Sequence, residues 1–339
     1  MLFSIIVPVY NRPQEVEELL ASLCQQTVQD FEVVIVEDGS SVPCKDVCER
    51  YSKKLDIHYF VKPNGGPSAA RNYGAERAKG DYLLILDSDI IAPSTYIEEI
   101  QKELLREPAD AFGGPDAAHP DFTPIQKAIS YSMTSFLTTG GIRGGKKKMD
   151  KFYPRSFNLG VKREVFQSLN GFDTTMRFGE DIDFSIRIFA DGYQCRLFPQ
   201  AWVYHKRRST FRQFFKQVHN SGIARIHLYM KYPKSLKLVH LLPTVFTLGV
   251  ACLLILSVFG LCLGNAWLAS LPISLLLLYC LALFCDATIQ SRSLHVGVLA
   301  ILAAFVQLIG YGTGFLRAVW HCLLRHETDF QAFRKNFYK

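Results

Sequence analysis

Asp87 and Asp89 flank Ser88 in the run DYLLILDSDI, directly after an apolar, strand-like stretch. In extended backbone the side chains at i and i+2 share a face, so both carboxylates can point at one cation or one nucleotide. Hard divalent cations take carboxylate oxygens. Asp181, in FGEDIDF, stands in a separate and later segment, with Glu180 and Asp183 beside it. A carboxylate set apart in this way can take the proton that an attacking hydroxyl must lose. His205, in VYHK, follows another apolar run and is a candidate third metal ligand after Asp87 and Asp89. A metal on a departing diphosphate, with a base on the other side of the reacting carbon, is the chemistry of inverting group transfer from a nucleotide-sugar.

Other residues fall where such a donor would lie. Asp38, in EDGS, can accept hydrogen bonds from a base or ribose, or can serve as a turn residue. The turn at 8–11 can place Pro8 and Tyr10 beside the base, and Arg71, near a helix start, is poised for phosphate or base contact. Lys206 and Arg207, with Arg208 next, could clamp the diphosphate. A lone DxD carries little, because about one chance match is expected at ordinary Asp usage in a chain this long. Indeed a second stands at Asp181–Asp183. Position gives the reading its weight: SIIVPVYN (4–11), EDGS (37–40) and DSD (87–89) each close an apolar run. In an open parallel sheet those strand ends form the rim where ligands bind.

The elements that must position these residues alternate. Strands are predicted over 2–9, 31–36, 57–61 and 82–86, with helices between them. Asn11, with Pro13 and Gln14, marks one helix start. Val16, Leu19, Leu20 and Leu23 give that helix a single apolar face. Another helix follows NGGPS (64–68), and one runs from Pro93 to about Arg106. Alternation of this kind predicts an α/β fold with a mostly parallel central sheet. GGIRGGKKK (140–148) reads as a basic surface loop, solvated or acting on the acceptor. Order returns at 157–161 and 165–172, and 182–189 reads as a helix opened by Glu180 and Asp181.

Charge is unevenly spread along the 339 residues: 31 Lys/Arg and 28 Asp/Glu precede Ser235. Residues 236–320 contain only Lys237, Asp286, Arg292 and Arg317 as charges. Within them lie apolar runs at 238–263, 267–285 and 296–316, each near or above the ~20 residues a membrane helix needs. The expected division is a catalytic domain over 1–232, a transmembrane region over 233–320 and a basic tail over 321–339. Met1–Val9 lacks a basic leader and reads as the first strand, so the catalytic domain is expected in the cytosol. Five of nine cysteines lie in or beside the apolar runs, and Cys44 and Cys48 read as free thiols. No acidic residue stands between Asp191 and Asp286, so a basic stretch leads into the membrane, as anionic headgroups favour. A membrane is an expected partner; a nucleic acid is not.

Taken together, SIIVPVYNRPQ, EVVIVEDGS, NGGPSAARNYG, DYLLILDSDI and FGEDIDFSIRI resemble glycosyltransferase family 2, the inverting enzymes of the GT-A fold, over about residues 3–232. The resemblance implies that Asp38 and Arg71 contact a uracil nucleotide and that Asp87 holds the ribose side. It implies Mn2+ or Mg2+ on Asp89, with His205 a further ligand, Asp181 as the base and Glu180 beside the acceptor. Polysaccharide synthases of the family carry Gln-x-x-Arg-Trp after the base; here RQFFKQ (212–217) has Lys216 and Gln217 where that motif has its Arg and Trp. Transfer of a single sugar to a lipid-linked glycan or lipid, at a bacterial inner membrane, is therefore expected. Transfer to polyprenyl phosphate, or a non-catalytic scaffold that binds nucleotide-sugar, are the alternatives.

Overall fold

The computed structural model describes residues 1–139, 152–176 and 178–327. The basic segment 140–148 and most of the tail lie outside them. Two compact units divide the chain: Met1–His119 with Lys147–Lys206, and Pro120–Lys146 with Arg207–Lys339.

The first unit begins with β1 (Phe3–Val9), α1 (Pro13–Leu23), β2 (Phe31–Asp38), α2 (Lys45–Tyr51), β3 (Asp56–Lys62), α3 (Pro67–Ala75) and β4 (Tyr82–Leu86). β1 and β2 are buried almost throughout, as β-branched strands covered on both faces should be. β5 (Ile90–Ile91), α4 (Tyr96–Arg106), β6 (Ala111–Gly113) and β7 (Asp116–Ala117) follow. In the second unit come α5 (Pro124–Thr134) and α6 (Phe136–Thr139). The first unit resumes with β8 (Asn158–Lys162), α7 (Arg163–Ser168), α8 (Glu180–Ala190), β9 (Cys195–Leu197) and β10 (Val203–His205).

Among the described residues the main sheet has the order β3-β2-β1-β4-β8-β6-β9, and a small sheet has the order β5-β10-β7. β1 to β4 are mutually parallel, whereas β8 runs antiparallel to β4. Two apolar layers cover the main sheet's faces. One joins α1 and α4 through Leu19, Leu20, Ile97 and Ile100, and the other joins α7 and α8 through Phe166 and Phe184. One detail departs from expectation. Asn11 does not cap α1; it sits at φ 54 and its Oδ1 accepts from Val42 N and Ser41 Oγ, while Arg12 is the N-cap. Pro13, at the first turn, starts the helix without a side-chain cap.

The second unit continues with α9 (Phe211–Lys231), α10 (Leu242–Cys262), α11 (Ala266–Ser291) and α12 (Leu294–Ala318). Leu238–Cys262, Ala266–Ser291 and Leu294–Leu324 are long and apolar enough to cross a membrane. α11 continues to Ser291, six residues past the end of the apolar run at 285, so Asp286 lies within the helix. Its Oδ2 accepts from Tyr131 Oη at 2.6 Å. The units also divide the chain elsewhere than at residue 232, because α5 and α9 pack with the apolar helices. Glycines make this possible on the α12 side. A Cβ on Gly314 would stand 2.0 Å from the His219 carbonyl oxygen, and one on Gly222 would stand 2.2 Å from that of Tyr311.

Candidate active site

The carboxyl-end rim of the main sheet gathers the acidic motifs. Asp87 and Asp89 follow β4, and β5 turns the chain so that Ile90 pairs with His205 of β10. That antiparallel pairing, with Lys206 N donating to the Asp89 carbonyl at 3.0 Å, delivers the imidazole to the aspartates. Ligand atoms of Asp87, Asp89 and His205 all lie within 4.8 Å of one another. His205 Nε2 is 3.4 Å from Asp89 Oδ1, and its ring stacks on Phe157 at 4.7 Å.

Two guanidiniums neutralise the carboxylates. Arg12 Nη1 donates to Asp89 Oδ2 at 2.6 Å. Arg71 is buried and splits its hydrogen bonds: Nη2 donates to Asp87 Oδ1 at 2.8 Å, and Nη1 to Glu180 Oε1 at 2.9 Å. Burial opposes the Arg71 charge, but Asp87 and Glu180 outweigh it and its pKa is raised. Glu180, at the start of α8, has its carboxyl pushed up by burial and by the Asp181 charge, against the pull of Arg71. Asp181 Oδ1 accepts from Ile182 N at 2.8 Å, and Oδ2 accepts from Arg155 Nη1 at 3.3 Å. Asp183 faces the other way, with no exposed surface and an ion pair to Arg187 at 2.8 Å.

Other candidates lie elsewhere on the rim or off it. Asp38 is the last residue of β2, and its carboxylate accepts from Lys62 Nζ, Gly65 N and Gly66 N at 2.7, 2.9 and 2.8 Å. It thereby shapes the turn into α3, where Gly66 has φ 90, a region open to glycine. Pro8 lies within β1 beside Val36, and Tyr10 follows the strand, half-buried. Lys206 Nζ pairs with Glu18 at 2.6 Å. Arg207 belongs to the second unit, where its carbonyl accepts from Gln126 Nε2. Sequence reasoning missed Arg12, Phe157 and Arg155. Arg12 follows β1 on the same rim as the motifs and was open to the same argument; Arg155 and Phe157 carry no local signal.

The sheet and its acidic rim define a GT-A type α/β domain, the architecture that holds nucleotide-sugars. Residues 4–169 match the model of glycosyl transferase family 2, so the chain carries a glycosyltransferase domain of that family. It is 26% identical over 219 residues to EpsJ of Bacillus subtilis, described as an uncharacterized glycosyltransferase, covering 62% of this chain and 63% of EpsJ. An uncharacterized glycosyltransferase of Haemophilus influenzae is 31% identical over 197 residues, 56% of this chain and 63% of that protein. The matches thus span less than two thirds of either relative. The mannosyltransferase PcManGT of Pyrobaculum calidifontis, solved with GDP-Man and Mn2+, shares the fold. The TM-score is 0.58 at 16% identity, covering 94% of this chain and 87% of that one.

Proposed function

We propose that this chain is a membrane-anchored inverting glycosyltransferase. It moves one sugar from a nucleotide-sugar, a UDP-sugar first among them, to a hydroxyl of a lipid-linked glycan or lipid. The carrying observation is the convergence of Asp87, Asp89 and His205 on the rim, tied through Arg71 to Glu180 at the start of α8. The donor set fits a divalent ion, Mn2+ or Mg2+: two carboxylates and an imidazole whose buried Nδ1 has no hydrogen-bond partner among the described residues. When bound, such an ion would neutralise the diphosphate charge as the sugar bond breaks.

The chain's own residues do the rest. Arg12 and Arg71 pair with Asp89 and Asp87 and fix the direction of their carboxylates. Asp181 takes the acceptor's proton on Oδ2, since Oδ1 is held by the Ile182 N–H. Arg155 orients that oxygen, and Glu180 lies beside the acceptor. Asp38 and Pro8 shape the nucleotide side through the turn and strand end they occupy, with Tyr10 against the base. Lys206 borders the diphosphate. The apolar helices hold the enzyme at a bacterial inner membrane, with the first unit in the cytosol.

The test is transfer by the purified full chain from a panel of nucleotide-sugars, with and without chelator. Asp181→Asn should cut transfer by about 10²–10⁴-fold and leave donor binding nearly intact, as loss of a general base does. Asp89→Asn should instead weaken donor binding. Near-normal transfer by Asp181→Asn would move the base elsewhere. Full activity after exhaustive chelation would remove the metal roles of Asp89 and His205 together. A phosphodiester product in place of a glycoside would identify polyprenyl phosphate as the acceptor.

A further inference from the structure

At the opposite, amino-terminal rim of the same sheet, three more ligand-type side chains converge. Parallel register places Ser4 beside Glu32 and Glu32 beside Asp56, while His58 pairs with Val34 one pleat further along. Residues two apart on a strand share a face, so Glu32, Asp56 and His58 emerge on one side of β2 and β3. His58 Nε2 lies 3.2 Å from Glu32 Oε2 and 3.3 Å from Asp56 Oδ1.

Glu32 is the informative member. Its side chain is 2% exposed, a costly place for a carboxylate. Oε1 is fully employed, accepting from Ser4 Oγ at 2.6 Å and from Lys79 N at 2.5 Å, and these bonds fix the direction of the group. Oε2 is left aimed at His58, yet among the described residues neither Oε2 nor His58 Nε2 has a hydrogen-bond partner. The ring nitrogen is close to both oxygens and aligned with neither. An imidazolium bridging two carboxylates would point its N–H at one of them.

We propose that Glu32 Oε2, Asp56 Oδ1 and His58 Nε2 bind a divalent transition ion of the Zn2+ type. In a tetrahedral site with bonds of ~2.0–2.1 Å, ligand atoms stand about 3.3–3.4 Å apart. An octahedral site with the same bonds brings neighbouring ligand atoms to about 2.8–3.0 Å. The two separations to Nε2, 3.2 and 3.3 Å, lie nearer the tetrahedral edge than the octahedral one. An imidazole and two carboxylates are ligand types that zinc-like ions accept, and it is the spacing of the ligand atoms that favours Zn2+ here. Asp56 has 65% of its side chain exposed, so water can reach the fourth position. The ion would pin β3, which ends the main sheet, to β2.

The test uses the full chain carrying Asp89→Asn, which disables the rim site proposed for the donor metal, stripped of metal and titrated with Co2+ alone. One equivalent should bind with the intense visible absorption of a tetrahedral centre, and Zn2+ should displace it. That equivalent should be lost on adding His58→Gln, and equally on adding Asp56→Asn, a surface change that leaves the sheet's core untouched. Zn2+ should raise the Tm of the Asp89→Asn chain and not of the Asp56→Asn double variant. No stoichiometric uptake, or uptake unchanged by both substitutions, would overturn the proposal and leave the donor site unaffected.

Discussion

Arg71 holds two carboxylates from distant parts of the chain with one buried guanidinium. Removing one partner of such a buried group costs about 3–5 kcal/mol, because the charges left behind are uncompensated. Glu180 faces Arg71 and Asp181, and burial raises its carboxyl above the ordinary 4.5. Over the window from 4.5 to that raised value the folded chain keeps a proton that the unfolded chain releases. Its contribution is therefore fully present below 4.5 and lost as pH rises through the raised value. Glu180→Gln keeps an acceptor for Arg71 and removes the titration. Melting curves across this range should show the wild-type Tm falling with pH more steeply than the variant's. Asp87, Asp89 and His205 were legible because each closes an apolar run, and strand ends share a rim. The burial of Arg71 was not, since an Arg near a helix start reads the same in solvent or in a core. Asp38 could be read as a ligand contact or a turn residue; the bonds it makes are those of a turn.

α12 is the hub of the second unit. Of the three apolar helices it is the most enclosed, 39% of its most apolar stretch being buried against 11% and 17% for the others. Gly310 and Gly314 face Val218 and His219 of α9, and Gly312 faces Pro243 and Thr247 of α10. Small residues allow backbones to approach closely where lipid supplies no hydrophobic drive. Gly314→Leu places a side chain where the His219 carbonyl stands, and overpacking of this kind costs about 1–3 kcal/mol. In detergent, the variant's Tm should fall while Gly249→Leu, whose added Cβ meets nothing, stays near wild type. The Gly-x-x-x-Gly spacing of Gly310 and Gly314 suits either a close neighbour or a bent segment, whereas hydropathy announced the apolar helices. Their partners α5 and α9 were not legible, because amphipathic helices with ordinary charge show no sign of what their apolar face will meet. The extension of α11 to Ser291 was hidden for a similar reason: Asp286 reads as a boundary until Tyr131 supplies its hydrogen bond.

For the molecule in its membrane, charge and span number pull against each other. Lys231, Lys234 and Lys237 precede the first apolar helix and favour a cytosolic entry, and Arg292 favours a cytosolic return after the second. A third crossing would carry Arg325, Arg334, Lys335 and Lys339 outward against Glu327 and Asp329. Three spans remain the proposal, since early helices dominate orientation. A reporter active only outside the cytosol should light when fused after Lys339; silence there, with a bright cytosolic reporter at the same site, supports two spans and an interface-lying third helix. The hub position of α12 also sets a timetable. α5 leaves the ribosome long before α12, yet Ala128 and Ile129 share a core with Ala300, Ala303 and Ala304. Until that last helix emerges, α5 and α9 wait with bare apolar faces, the condition in which nascent chains recruit chaperones or aggregate. A stalled chain ending before Leu294 should therefore be degraded far faster than one ending after Leu324, although both contain the whole catalytic sheet.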